Sequence, residues 1–85
     1  QLVLCEPFLL EVRDEMNTWR EDLDPKIAVV HKMAAEFGAK LVPFDQHFKV
    51  ISTEMAMVEL ADDGIHPSKL GHQIMADLWL RTVGL

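Results

Sequence analysis

The sequence predicts an α/β domain built on parallel strands, and three observations carry that expectation. Two short apolar runs, Leu2–Cys5 and Leu41–Phe44, have the continuity of strands buried on both faces. A segment with helical periodicity separates them, and further helical stripes follow the second run. The resulting order of strand, helix, strand, helix, loop and helix is that of parallel strands joined by right-handed crossovers.

The first strand takes Leu2, Val3, Leu4 and Cys5 and is ended by Pro7. From Phe8 to Asp24 the pattern is mixed and acidic, read as a loop with a helical turn around Met16 to Arg20 that could cover a site. Asp24 before Pro25 places a capping acceptor ahead of a residue whose fixed φ suits the first helical position, so a helix is expected to start there. Ile27, Val30, Ala34 and Phe37 form its apolar stripe, and Gly38 supplies the left-handed residue that stops it. In the second run Pro43 marks the strand's end or the sheet margin. Asp45 is then expected to cap a second helix whose inward stripe is Phe48, Ile51, Met55 and Val58. Asp62, Asp63 and Gly64 mark a turn, and Pro67 opens a last helix with Leu70, Ile74, Leu78 and Trp79 inward and Gly84 near its end.

Only two strands are legible, and a two-stranded parallel ribbon leaves backbone unpaired on both edges. Further strands are expected upstream of Gln1 or in a partner chain. Gln1 opens straight into apolar residues and does not resemble a natural start, so the chain is read as one segment of a single domain spanning 1–85.

Composition narrows the function classes. Of 85 residues, 49% are apolar and 26% charged, the profile of a globular chain, and no apolar stretch approaches the roughly 20 residues of a membrane helix. Eight Lys and Arg against fourteen Asp and Glu give a net charge of −6 without a basic block, which argues against nucleic acid as a partner. The single Cys5 can form no internal disulfide and leans weakly toward a reducing, cytoplasmic setting.

Asp63-Gly64-Ile65-His66-Pro67 is the stretch that carries chemistry. The proline pushes His66 out of the helical region, while Gly64 allows the backbone between Asp63 and His66 to turn tightly. An Asp-His pair follows, in which the carboxylate fixes the imidazole tautomer and the other ring nitrogen can take a proton from a hydroxyl. Two such residues three apart also arise by chance, as a turn aspartate and a capping histidine.

The longer block Asp63-Gly64-Ile65-His66-Pro67-Ser68-Lys69-Leu70-Gly71-His72, with the apolar helix through Ile74, Ala76 and Trp79, resembles the last conserved block of the GDSL, or SGNH, hydrolases. A strand ending Glu6-Pro7-Phe8, a helix into Ala34-Glu36-Phe37-Gly38 and a strand into Phe44-Asp45 extend the resemblance over essentially the whole chain. It implies the C-terminal part of a flavodoxin-like three-layer fold, here with two parallel strands and about three helices. It also implies that Asp63 orients and His66 acts as base for a serine lying upstream. The Gly-Asp-Ser-Leu block, the glycine block and the Gly-x-Asn-Asp block are absent, and Asn17, the only asparagine, lies in the wrong context.

Other candidate residues read as structural. Ser68 reads as capping or exposed, Ser52 as mid-helix, and Cys5 as a buried thiol. His72 reads as packing, because its spacing from His66 matches no zinc pattern. His31 and His47 read as surface residues, and Met55 and Met57 as core filler. The leading expectation is the C-terminal part of a serine ester hydrolase needing no metal or organic cofactor. Its substrate would be an acyl lipid or an acetylated sugar, and its partner the N-terminal half of the same fold. The alternative is a non-catalytic α/β module that pairs with a partner strand, or with a second copy of itself, through its open sheet edges.

Overall fold

Strand β1 (Val3–Cys5) lies parallel to β2 (Lys40–Val42) in the computed structural model, which describes residues 1–84. Val3 faces Lys40, Leu4 faces Leu41 and Cys5 faces Val42. The ladder is prolonged at both ends, where the amide of Lys40 donates to Leu2 at 3.0 Å and that of Glu6 to Val42 at 3.0 Å. These are the two predicted strands. Among the described residues neither has a further neighbour.

A 3-10 helical segment, Asp14–Trp19, runs directly into α1 (Arg20–Phe37). The helix thus begins a turn earlier than the Asp24-Pro25 signature predicts, and Pro25 lies inside it. Tertiary bonding overrides the local signal: Arg20 anchors the first turn, and Asp24 Oδ1 faces the Arg20 guanidinium at 3.3 Å instead of capping. The predicted stop holds. Gly38 adopts φ 63° and its amide returns to the carbonyl of Ala34. Of the expected stripe, Ala34 is buried and Ile27 and Val30 are half-buried, but Phe37 is 60% exposed.

Strand β2 ends at Val42, and Pro43 precedes α2 (Phe44–Ile51). Asp45 does not cap this helix. Its carboxylate is buried and accepts the amide of Leu9 at 3.1 Å, while Glu6, 39 residues before Asp45, accepts the amides of Asp45 at 3.0 Å and Gln46 at 3.2 Å. The other oxygen of Glu6 meets Nε2 of His31. The single second helix expected from Asp45 to Val58 is in fact two, because α2 stops at Ile51 and the short α3 spans Met57–Leu60. The hydroxyls of Ser52 and Thr53 bond back to the carbonyls of Lys49 at 2.8 Å and Val50 at 2.7 Å, offering the backbone an alternative to the helical ladder. Val58 is accordingly 52% exposed.

Helix α4 (Lys69–Val83) starts two residues after Pro67, with Ser68 as its cap: the hydroxyl accepts the amide of Gly71 at 3.0 Å and donates to the carbonyl of Glu59 at 2.7 Å. The four α-helices exceed the expected three through the split of the second. Leu78 is buried and Ile74 half-buried as expected, whereas Leu70 and Trp79 face outward. Gly71 is buried because a Cβ there would stand 2.2 Å from the carbonyl oxygen of Leu60, which seats α4 directly on the end of α3.

Two apolar clusters form the core. Leu10, Phe48, Leu60 and Ala61 make one; Val42, Phe44 and Leu78 make the other. Phe8 and Met75 pack against both, and Phe8 meets Phe48 with ring centroids 4.9 Å apart. Met55 and Met57 pack against the first cluster. No helix among the described residues is long and apolar enough to cross a membrane.

A buried ion pair joins α1 to α2. Arg20 places Nη1 2.8 Å from Asp45 Oδ2 and Nη2 2.8 Å from Asp45 Oδ1, a bidentate pair, while Nε donates to Glu11. Burial works against both charges. The hydrogen bonds and charge of Asp45 and Glu11 nevertheless hold the guanidinium protonated, and those of Arg20 and the Leu9 amide hold Asp45 below the usual carboxylate range. Replacing Asp45 with Ala is expected to cost about 3–5 kcal/mol, because it removes both acceptors of the bidentate pair and leaves the buried Leu9 amide without its partner. Urea denaturation provides the check, and a loss under about 1 kcal/mol would mean the pair behaves as a surface bridge.

Candidate active site

The loop between α3 and α4 is shaped by its own sequence. Ala61 and Gly64 close a turn through a 3.1 Å backbone bond, and Gly64 takes φ 81°, a conformation that side chains resist. Asp63 then bonds forward. Its Oδ1 accepts the amides of Ile65 at 2.9 Å and His66 at 2.7 Å, an Asx-type arrangement that curls the loop around the carboxylate. Its Oδ2 lies 2.6 Å from Nδ1 of His66. The sequence-predicted pair is thus brought together, and the same carboxylate fixes both the histidine's backbone and its ring.

Electrostatics follow from that geometry. The His66 ring, then the backbone amides of His66 and Ile65, hold Asp63 far below the usual carboxylate range. Asp63, through its hydrogen bond and its charge, raises the His66 imidazole above its ordinary value of 6.5, and Asp62 adds to the effect. With Nδ1 donating to Asp63, neutral His66 carries its lone pair on Nε2, and the side chain is 83% exposed. An imidazole so held can accept a proton from a hydroxyl and return it to a leaving group.

The remaining candidates separate clearly. Ser68 is committed to its cap and to Glu59, and Ser52 to Lys49. Cys5 is exposed rather than buried, because β1 is covered on too few sides to enclose the thiol at its end. His72 is also exposed, one residue past the buried Gly71 and on the outer side of α4. His31 is exposed as expected yet holds the buried Glu6, and His47 is half-buried, its imidazole lowered by burial and by Arg81. Among the described residues no group of three or more His, Cys, Asp and Glu side chains is placed to hold a metal ion.

Sequence reasoning missed the supports. Asp45 is expected to cap a helix and Glu6 enters only as part of a motif, while nothing in the sequence singles out Glu11 or pairs Arg20 with Asp45. Their signal is collective: a charged residue beside apolar neighbours becomes legible as buried only when its partner, 9 to 40 residues away, is known.

Comparison with known proteins follows the same lines. No family model matches the chain. It is 31% identical over 83 residues to an acetylxylan esterase of Geobacillus stearothermophilus, covering 98% of this chain and 37% of that protein. It is 30% identical over 76 residues to the thioesterase 1/protease 1/lysophospholipase L1 of Escherichia coli, covering 89% of this chain and 34% of that one. A Parabacteroides merdae protein described as a GDSL-like lipase superposes with a TM-score of 0.90 at 32% identity, over 99% of this chain and 39% of its own. The crystal structure of the Geobacillus esterase superposes at 0.84 with 31% identity, over 98% of this chain and 37% of its own. The chain spans about 37% of the length of the first of these curated relatives. It carries the C-terminal part of the GDSL/SGNH hydrolase fold and is similar in sequence to esterases and lipases of that kind.

Proposed function

We propose that this chain supplies the proton-transfer half of a serine ester hydrolase. Asp63 orients the ring, and His66 Nε2 takes the proton of an upstream serine as its oxygen attacks the ester carbonyl. The same nitrogen then returns the proton to the departing alcohol, and in the second half-reaction activates the water that releases the acid. The observation that carries this reading is the 2.6 Å contact between Asp63 Oδ2 and His66 Nδ1, beside a loop that the carboxylate itself folds. Structures of catalytic variants of the Geobacillus esterase at a histidine and at a serine are consistent with such a division of labour. Acetylated sugars are the favoured substrate class, after that esterase, with acyl lipids second.

The 85-residue chain alone is then nearly inert towards p-nitrophenyl acetate, since its two serines are both engaged in hydrogen bonds. The alternative of a non-catalytic pairing module rests on the unpaired strand edges, and would be favoured if the parent polypeptide has no turnover either.

The test uses the full-length polypeptide and the pH dependence of its ester hydrolysis. Only neutral His66 can act as base, and Asp63 raises its titration, so activity should climb with pH on a limb lying above 6.5. Asp63→Asn removes the negative charge, so the limb should move to lower pH while kcat falls roughly 10²–10⁴-fold from loss of the correct tautomer. A limb that stays in place would sink the assignment.

A further inference from the structure

The buried Arg20–Asp45 pair is costly to place inside a small domain, and its bonds lead toward the site loop. Both backbone polar groups of Leu9 are engaged by it: the amide donates to Asp45 Oδ1 at 3.1 Å, and the carbonyl accepts from Arg20 Nη2 at 2.7 Å. The next amide, of Leu10, donates to the carbonyl of Gly64 at 3.0 Å. Gly64 approaches so closely that a Cβ there would stand 2.2 Å from the Leu10 carbonyl oxygen. Asp63 precedes Gly64, and its carboxylate carries the loop and the ring of His66.

We infer that Arg20 and Asp45 are positioning residues for the Asp63–His66 pair, acting through Leu9, Leu10 and Gly64. This rests on the functional reading above only for its kinetic consequence. The geometry is a short relay: a bidentate pair fixes one residue at both its backbone ends, and the neighbouring residue clamps the glycine on which the catalytic loop turns. A Lys in place of Arg20 keeps the charge but offers a single point of contact, and cannot hold Asp45 and the Leu9 carbonyl in one plane.

The experiment measures the ring titration of His66 by NMR and, on the same full-length protein, kcat and KM for p-nitrophenyl acetate. Arg20→Lys is compared with Glu11→Gln, which removes the charge of an outer partner of Arg20 and leaves the Leu9 clamp intact. The charges acting on His66 come from Asp63 and Asp62. A change at Arg20 therefore reaches the ring through position. Arg20→Lys should shift the titration of His66 down toward 6.5 and lower kcat on the order of 10-fold or more with KM little changed. Glu11→Gln should leave both as in the parent. Should Arg20→Lys fail to fold, Asp45→Asn takes its place with the same expected shift, because an amide nitrogen cannot accept from the guanidinium and the bidentate hold on Arg20 is lost. An unmoved His66 titration in the folded variant, or an equal shift in Glu11→Gln, overturns the inference. A shifted titration in a protein whose His66→Ala variant stays fully active would uphold the relay and remove the enzymatic reading.

Discussion

Replacing His66 with Ala in the full-length protein is expected to lower kcat for ester hydrolysis by at least about 10³-fold, with KM changed little. The Asp63 loop holds the ring by its carboxylate and leaves it 83% exposed. In the proposed mechanism, a serine without the imidazole would have to lose its proton to water, whose basicity is too low to matter at neutral pH. Ser68→Ala is the matching control. That hydroxyl is committed to the α4 cap, so its loss should cost about 1 kcal/mol of stability and leave kcat within a few-fold. Steady-state assays of the two variants decide the matter, and His66→Ala retaining activity within tenfold of the parent would end the assignment.

Gly64→Ala should be the most damaging single methyl group in the chain. The φ of 81° already strains any side chain, and the added carbon would lie 2.2 Å from the Leu10 carbonyl oxygen and 2.3 Å from Met16 Cε. Met16 is fully buried and has nowhere to retreat, and the Leu10 carbonyl is backbone tied into the adjoining amide bond. Relief requires the Asp63 loop to peel from Leu10. A loss above about 4 kcal/mol is expected, a large part of the stability of a small domain. Thermal melts of parent and variant provide the measurement. A fall of only a few degrees would show that the loop relaxes at little cost.

Much of the fold was legible because its signals are local. Apolar continuity marked β1 and β2, Gly38 marked the end of α1, and Asp63, Gly64 and Pro67 defined a corner that brings His66 to its carboxylate. These features depend on residues within four positions of one another. What escaped depends on distance. The start of α1 is set by Arg20 and its partner in α2 rather than by Asp24 and Pro25, and the cap of α2 comes from Glu6, just past β1, rather than from Asp45. Helical spacing from Phe48 to Val58 looked continuous because periodicity does not register the bonds by which Ser52 and Thr53 end the helix. Phe37, Leu70 and Trp79 lie outside the core for a different reason: a regular stripe says which residues share a face, not whether anything covers it.

Glu6 has a bearing on how the chain folds. Helices α1 and α4 each carry a terminating glycine close by, and α4 also has its own serine cap, so their ends can settle as soon as they form. Helix α2 has no such autonomy, because its first amides are satisfied only by a carboxylate 39 and 40 residues earlier. That contact closes a long loop, whose entropic cost must be met before the helix gains its cap. Ordering of α2 is thereby coupled to docking of β1 against β2, which makes assembly of this region all-or-none rather than gradual.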